Sequence, residues 1–157
     1  YSQPIEQAIE EIKSEIKYQM ERRTYLAANE LRNAANLVLR GQRSGRRYKV
    51  PGTYRRQRDK VDGKMKNGRY YTASAPGEPP ANRLGHFRMS WQPNARIEDG
   101  LYTSMIESDL MVGTNNKYLL GDILEEGTSK MEPRPYQELI LNRAIAKIKR
   151  IYSEPYF

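Results

Sequence analysis

The 157-residue chain has no cysteine, one histidine, one tryptophan and two phenylalanines. Without cysteine it can hold no disulfide, thiolate zinc site or cysteine nucleophile, a composition that fits a reducing compartment. No apolar run approaches the roughly 18–20 residues of a membrane span, and no signal-peptide pattern follows Tyr1, so a soluble chain without a visible export signal is expected. The catalytic inventory is short. His86, close in sequence to the apolar Leu84 and Phe87, reads as a structural residue, because a general base or metal ligand needs converging partners. There is no Gly-rich phosphate loop ending in Lys-Ser/Thr and no nucleophile elbow. Asp122, Glu125 and Glu126 fall within about one helical turn and read as a solvated face, since a hard cation needs several converging oxygens. No catalytic residue, cofactor or metal site is expected, and the chain reads as a non-enzyme.

What the chain does have is charge, placed unevenly. Its 27 Lys and Arg against 19 Asp and Glu make +8 overall. Residues 40–69 hold twelve of the cations (Arg40, Arg43, Arg46, Arg47, Lys49, Arg55, Arg56, Arg58, Lys60, Lys64, Lys66, Arg69) against Asp59 and Asp62. That segment is therefore +10, and the remaining 15 cations and 17 carboxylates leave the body at −2. Such an arm attracts an anionic partner in a salt-sensitive way. Arg46, Arg47, Lys49, Arg55, Arg56, Arg58, Lys60, Lys64, Lys66 and Arg69 are the candidate contacts to DNA or to an acidic protein. Tyrosine is abundant, with twelve residues, and Tyr48, Tyr54, Tyr70 and Tyr71 lie in or beside the arm. These rings suit stacking on bases, a protein interface, or packing across a hairpin. No base-reading motif is present, so any nucleic-acid contact is expected to be to the backbone. A mean hydropathy of −0.89 is polar for a compact monomer and points to an extended arm or to burial against neighbours.

Apolar residues at Ile5, Ile9, Ile12, Ile16 and Met20, continued by Ala27, Leu31, Ala35 and Val38, predict a helix that opens near Pro4 and stops at Gly41. Thirty-odd residues would reach about 50 Å, so either the helix breaks near Arg23-Thr24 or part of it packs on another subunit. Tyr48-Lys49-Val50 and Arg69-Tyr70-Tyr71-Thr72 read as the legs of a long hairpin whose tip holds Arg55 to Asn67; the alternative is a tip disordered until bound. A short helix over 82–91 would anchor the core through Leu84, Phe87 and Trp91. Strands follow over 95–98, 101–108 and 110–113, the first two joined by an Asp99-Gly100 turn. A short helix within 118–126 closes at Gly127, and a last helix from about Tyr136 to before Pro155 turns Leu139, Ile140, Ala144, Ile148 and Ile151 towards a sheet. The expected fold is a single α+β domain over 1–157. It has a long N-terminal helix, a small mainly antiparallel sheet with a basic hairpin or arm over 43–73, and a C-terminal helix packed on the sheet.

Two segments are stiffened by proline: Ser74-Ala75-Pro76-Gly77-Glu78-Pro79-Pro80, leading to Arg83-Leu84-Gly85-His86-Phe87-Arg88-Met89-Ser90-Trp91, and Gly127-Thr128-Ser129-Lys130-Met131-Glu132-Pro133-Arg134-Pro135-Tyr136. With Val112-Gly113-Thr114-Asn115, Tyr118 and Leu124-Glu125-Glu126 between them, this succession over residues 74–146 resembles the minor neck and tail-completion family of long-tailed bacteriophages. The resemblance implies a non-catalytic virion protein that forms a homo-oligomeric ring of six or twelve copies at the head–tail junction. Its implied partners are a portal-side adaptor or stopper protein, a tail-tube or tail-terminator protein, and the DNA backbone in the channel. On this reading Pro76, Glu78, Pro79, Pro80, Glu126, Lys130, Arg134 and Tyr136 shape subunit or ring contacts. The basic arm and the long first helix depart from the family pattern. A free, sequence-independent nucleic-acid-binding protein is the competing reading. A metal-dependent nuclease would need carboxylates converging beside the arm, which the sequence does not offer.

Overall fold

A computed structural model describes residues 2–50, 57–58, 63, 65–66 and 68–156. Its order is α1 (Ser2–Arg40), β1 (Arg47–Lys49), β2 (Gln57–Arg58), β3 (Met65–Lys66), β4 (Tyr70–Thr72), α2 (His86–Met89), β5 (Gln92–Glu98), β6 (Leu101–Glu107), β7 (Met111–Val112), β8 (Tyr118–Leu119), α3 (Leu120–Glu126) and α4 (Gln137–Ser153). The α+β class, the long first helix, the antiparallel pairing and the packed C-terminal helix all agree with expectation. The strands form four separate antiparallel pairs: β1 with β4, β2 with β3, β5 with β6, and β7 with β8. Among the described residues no helix is long and apolar enough to cross a membrane.

Helix α1 runs unbroken for 39 residues, about 58 Å at 1.5 Å per residue. Of the two alternatives, the break at Arg23-Thr24 is absent, and both side chains are accommodated in the body. Thr24 donates from Oγ1 to the Met20 carbonyl at 2.7 Å, and the Arg23 guanidinium reaches the C-terminal tail. The hairpin β5–β6 lies across α1, paired from Gln92↔Glu107 to Glu98↔Leu101 around Asp99 and Gly100. Both turn residues take positive φ (49° and 76°), as a two-residue hairpin turn requires.

Helix α4 lies along the second half of α1 and meets the hairpin. Ser104 Oγ of β6 contacts Tyr152 Oη of α4 at 2.7 Å and donates to the Thr24 carbonyl at 2.9 Å. The core is Ala34, Ala35 and Leu39 of α1, Ile140 and Ala144 of α4, and Tyr136, with Phe87, Trp91, Ile106, Leu124 and Ile148 packed around them. Alanine on both helices lets the backbones approach closely. Of the stripe expected on α4, Leu139 instead falls on the exposed face. The first half of α1 has no such cover: every described side chain of residues 3–18 is exposed.

Candidate functional site

The two proline segments, 45 or more residues apart in sequence, meet in space. Gly77 donates its amide to the Pro133 carbonyl at 3.3 Å. Each is pinned by its own device. At the end of α1, the Arg43 guanidinium donates to the Val38 carbonyl (2.7 Å), capping the helix, and also to the carbonyls of Pro79 (2.7 Å) and Pro80 (3.0 Å). Glu78 accepts from the amides of Ser44 (3.0 Å) and Ala75 (2.8 Å) and from Ser44 Oγ. On the other segment, Arg134 N–H donates to the Leu124 carbonyl at 2.7 Å, and Glu125 Oε2 accepts from Tyr136 and Gln137, satisfying free amides at the start of α4. Gly127 cannot be replaced freely, since at φ 77° an added Cβ would come within 2.7 Å of the Met131 carbonyl oxygen.

The hydrogen bond from Ser44 Oγ, then those from the Ala75 and Ser44 amides, hold the Glu78 carboxyl down at about 2. A depressed carboxylate pKa stabilises the fold above its unfolded value, near 4.3, and that contribution disappears as pH falls through about 2. Glu78→Gln is therefore expected to flatten the pH dependence of stability between about 4.5 and 2, read as the difference in urea midpoints between variant and parent across that range.

Around the clasp, a groove of about 640 Å³ opens beside α2, with Leu84, Leu110, Leu124 and Met131 on its walls and Arg83, Arg88 and Arg134 among them. No carboxylate lines it, and none of those three arginines is ion-paired among the described residues. Beneath the groove, Phe87, Trp91 and Tyr136 form an aromatic cluster with ring centroids 5.4–5.8 Å apart.

The basic segment leaves the clasp as a hairpin, with Arg47↔Thr72, Tyr48↔Tyr71 and Lys49↔Tyr70 paired, and β2–β3 pair further out. The two legs form the expected ladder, while most of the tip over 55–67 lies outside the described residues. Tyr48 and Tyr71 stack across the strands at 5.9 Å. Arg47 lies over the Tyr70 ring at 4.6 Å and Arg46 over Tyr48 at 5.4 Å, so both rings already face a cation. Arg46, Arg47, Lys49 and Arg69 are exposed on this hairpin. Arg58 and Lys66 belong to β2 and β3, whose side chains are not described, and Arg55, Arg56, Lys60 and Lys64 lie outside the described residues.

Several sequence expectations need correction. Tyr136, expected at an interface, is 1% exposed and belongs to the core: its hydroxyl donates to the Gly121 carbonyl at 3.0 Å. Leu84, expected as a core anchor, is 44% exposed and lines the groove because it lies in the bend before Gly85 (φ 82°), ahead of α2; Phe87 and Trp91 do pack on the core. Among the other expected contact residues, Pro76, Glu126 and Lys130 are exposed, Arg134 and Pro79 half-buried, and Pro80 buried. Glu78 is engaged within its own chain, as is Arg43, which sequence reasoning counted only as arm charge. The signal that could have singled out Arg43 is its place two residues after the helix-stopping Gly41, where a cation meets free carbonyls. Glu125, read as part of a solvated acidic face, is the cap of α4.

Comparisons with family models, with curated proteins and with solved structures find no match to this chain.

Proposed function

We propose that this chain is a structural ring subunit of a tailed-phage head–tail junction, joining the capsid connector to the tail around a channel for DNA. The observation that carries the reading is the Gly77–Pro133 contact with its Arg43 and Glu78 clasps. It gathers the two motif-bearing segments into one preorganised surface, which costs less ordering on binding than mobile loops would. The exposed parts of that surface, Pro76, Glu126, Lys130 and the half-buried Arg134, are the residues available to an adjacent ring. A ring subunit uses heterologous contacts, one patch meeting a different patch on its neighbour.

In phage lacking this chain, filled heads and complete tails should accumulate unjoined, and labelled protein should restore joining and locate to the neck. Infectious particles assembled without it would overturn the proposal. A second reading, sequence-independent nucleic-acid binding, draws on the exposed cations of the hairpin. Because Tyr48 and Tyr70 already face arginines, phosphate contact is favoured there over base stacking. It predicts duplex binding whose log affinity falls with log salt at about −0.9 per phosphate contacted. Indifference to any duplex at low salt would assign the arm to an acidic neighbouring protein.

A further inference from the structure

We propose that the projecting half of α1 seats its isoleucine stripe in the arginine-lined groove of a second copy of this chain, head to tail. The proposal rests on the reading of the chain as a self-assembling ring subunit and names the contact that would close the ring. Ile5, Ile9, Ile12 and Ile16 are 63%, 46%, 49% and 38% exposed, at spacings of four, three and four residues. Those steps keep all four on one side of the helix, the i, i+4, i+7, i+11 anchors of a helix laid into a groove. Nothing in this half of α1 is needed to hold the body together, because the core begins with the buried Arg23, Thr24 and Ala27.

Charge selects the groove as the receiving surface. Residues 3–18 carry Glu6, Glu10, Glu11 and Glu15 against Lys13 and Lys17, and Lys13 is already paired with Glu10 at 3.0 Å. At 100° per residue, Glu11 and Glu15 make one flank of the stripe acidic, while Glu6 shares the other flank with Lys13 and Lys17. The groove offers apolar walls from Leu84, Leu110 and Met131 together with Arg83, Arg88 and Arg134, no carboxylate, and a volume of about 640 Å³, within the range of sites that enclose a ligand. Buried Arg88 Nε has no hydrogen-bond partner among the described residues.

The same copy cannot satisfy both halves. Leu39 lines the groove at the far end of α1, about 35 Å from Ile16 and about 51 Å from Ile5 along the helix axis. A straight helix cannot fold back over that distance, so the stripe must enter the groove of another copy. Because stripe and groove are different patches, the contact is heterologous, and repetition gives a closed ring or an open filament.

The test exploits that asymmetry. A stripe variant (Ile9→Asp with Ile12→Asp) and a groove variant (Leu84→Asp, with Arg134→Glu as an independent second) are measured by sedimentation from micromolar to millimolar concentration. Circular dichroism and melting of each should match the parent, since the substituted side chains are exposed or half-buried. Each variant alone should self-associate at least 100-fold more weakly than the parent. Mixed one to one, stripe and groove variants should form a heterodimer that grows no further, because only one intact stripe and one intact groove remain. A groove variant that assembles like the parent while the stripe variant does not would show stripe-to-stripe pairing and overturn the proposal. So would a monomeric mixture, or a parent that is monomeric throughout. Assembly that survives in both variants overturns this contact while leaving the ring reading standing. The ring reading falls only if the neck forms in phage without the chain.

Discussion

Tyr136→Ala is expected to cost about 3–5 kcal/mol of folding stability, a large part of the roughly 5–15 kcal/mol typical of a domain. The ring is fully enclosed and packs edge-on against Phe87 and at a tilt against Trp91, so truncation opens a cavity under α2 and between α1 and α4. It also releases the Gly121 carbonyl, tying the loss to α3 as well. Urea unfolding should show a much lower midpoint with near-parental slope. Tyr136→Phe keeps the ring and removes only the hydroxyl bond, at about 1 kcal/mol. A pH scan separates the two contributions. Burial pushes the phenol up to about 12, above its unfolded value near 10. The protonated form thus stabilises the fold fully below pH 10, and the contribution is lost as pH rises through about 12. Parent and Tyr136→Phe should therefore cross within that interval, the parent becoming the less stable above it, because ionising the buried phenol costs more than its one hydrogen bond contributes. An unchanged midpoint in Tyr136→Ala would remove the aromatic cluster as the centre of the fold.

Arg23→Ala is expected to cost about 2–4 kcal/mol and to free the C-terminal tail. The guanidinium is buried and donates to the carbonyls of Glu154 (2.5 Å) and Pro155 (2.8 Å), and it sits over the Tyr156 ring at 4.2 Å. Hydrogen bonds from a charged donor contribute about 1.5–3 kcal/mol, and their loss leaves carbonyls at the end of α4 without a protein donor. Limited chymotrypsin digestion should cut near Tyr152 or Tyr156 in the variant and spare the parent. Arg23→Lys should recover less than half of the loss, because an ammonium lacks the planar fork that reaches two carbonyls at once. Equal protease resistance in Arg23→Ala and parent would show that the tail is held by other means.

How far the fold could be read in advance depended on whether the signal was local. The isoleucine spacing of α1, the Asp99-Gly100 turn and the Gly127 stop each arise from backbone preferences within a few residues, and each was legible. Whether the helix breaks at Arg23-Thr24 stayed open in the sequence because length alone does not show what those side chains meet. Their partners, the tail carbonyls and Tyr152, lie about 130 residues away. Arg43 counted only as arm charge and Glu125 only as part of a solvated face for the same reason. A charge's role depends on which carbonyl or amide faces it, and neighbours in sequence do not reveal that. Leu84 and Tyr136 exchanged expected roles because both lie just outside a helix, before the Gly85 cap of α2 and at the cap of α4, where helical periodicity does not assign a buried side.

By itself the sequence determined the α+β class, the long first helix with its apolar stripe, the +10 segment and the two stiffened proline loops. All of these follow from composition, 3.6-residue periodicity and restricted dihedrals, which act within a short stretch of chain. Only the tertiary structure decided that the two loops meet at Gly77 and Pro133, that Arg43 and Glu78 clasp them, and that half of α1 stands uncovered while its other half carries the core. Those outcomes depend on long-range packing, in which a side chain's surroundings are set by segments far away in the chain.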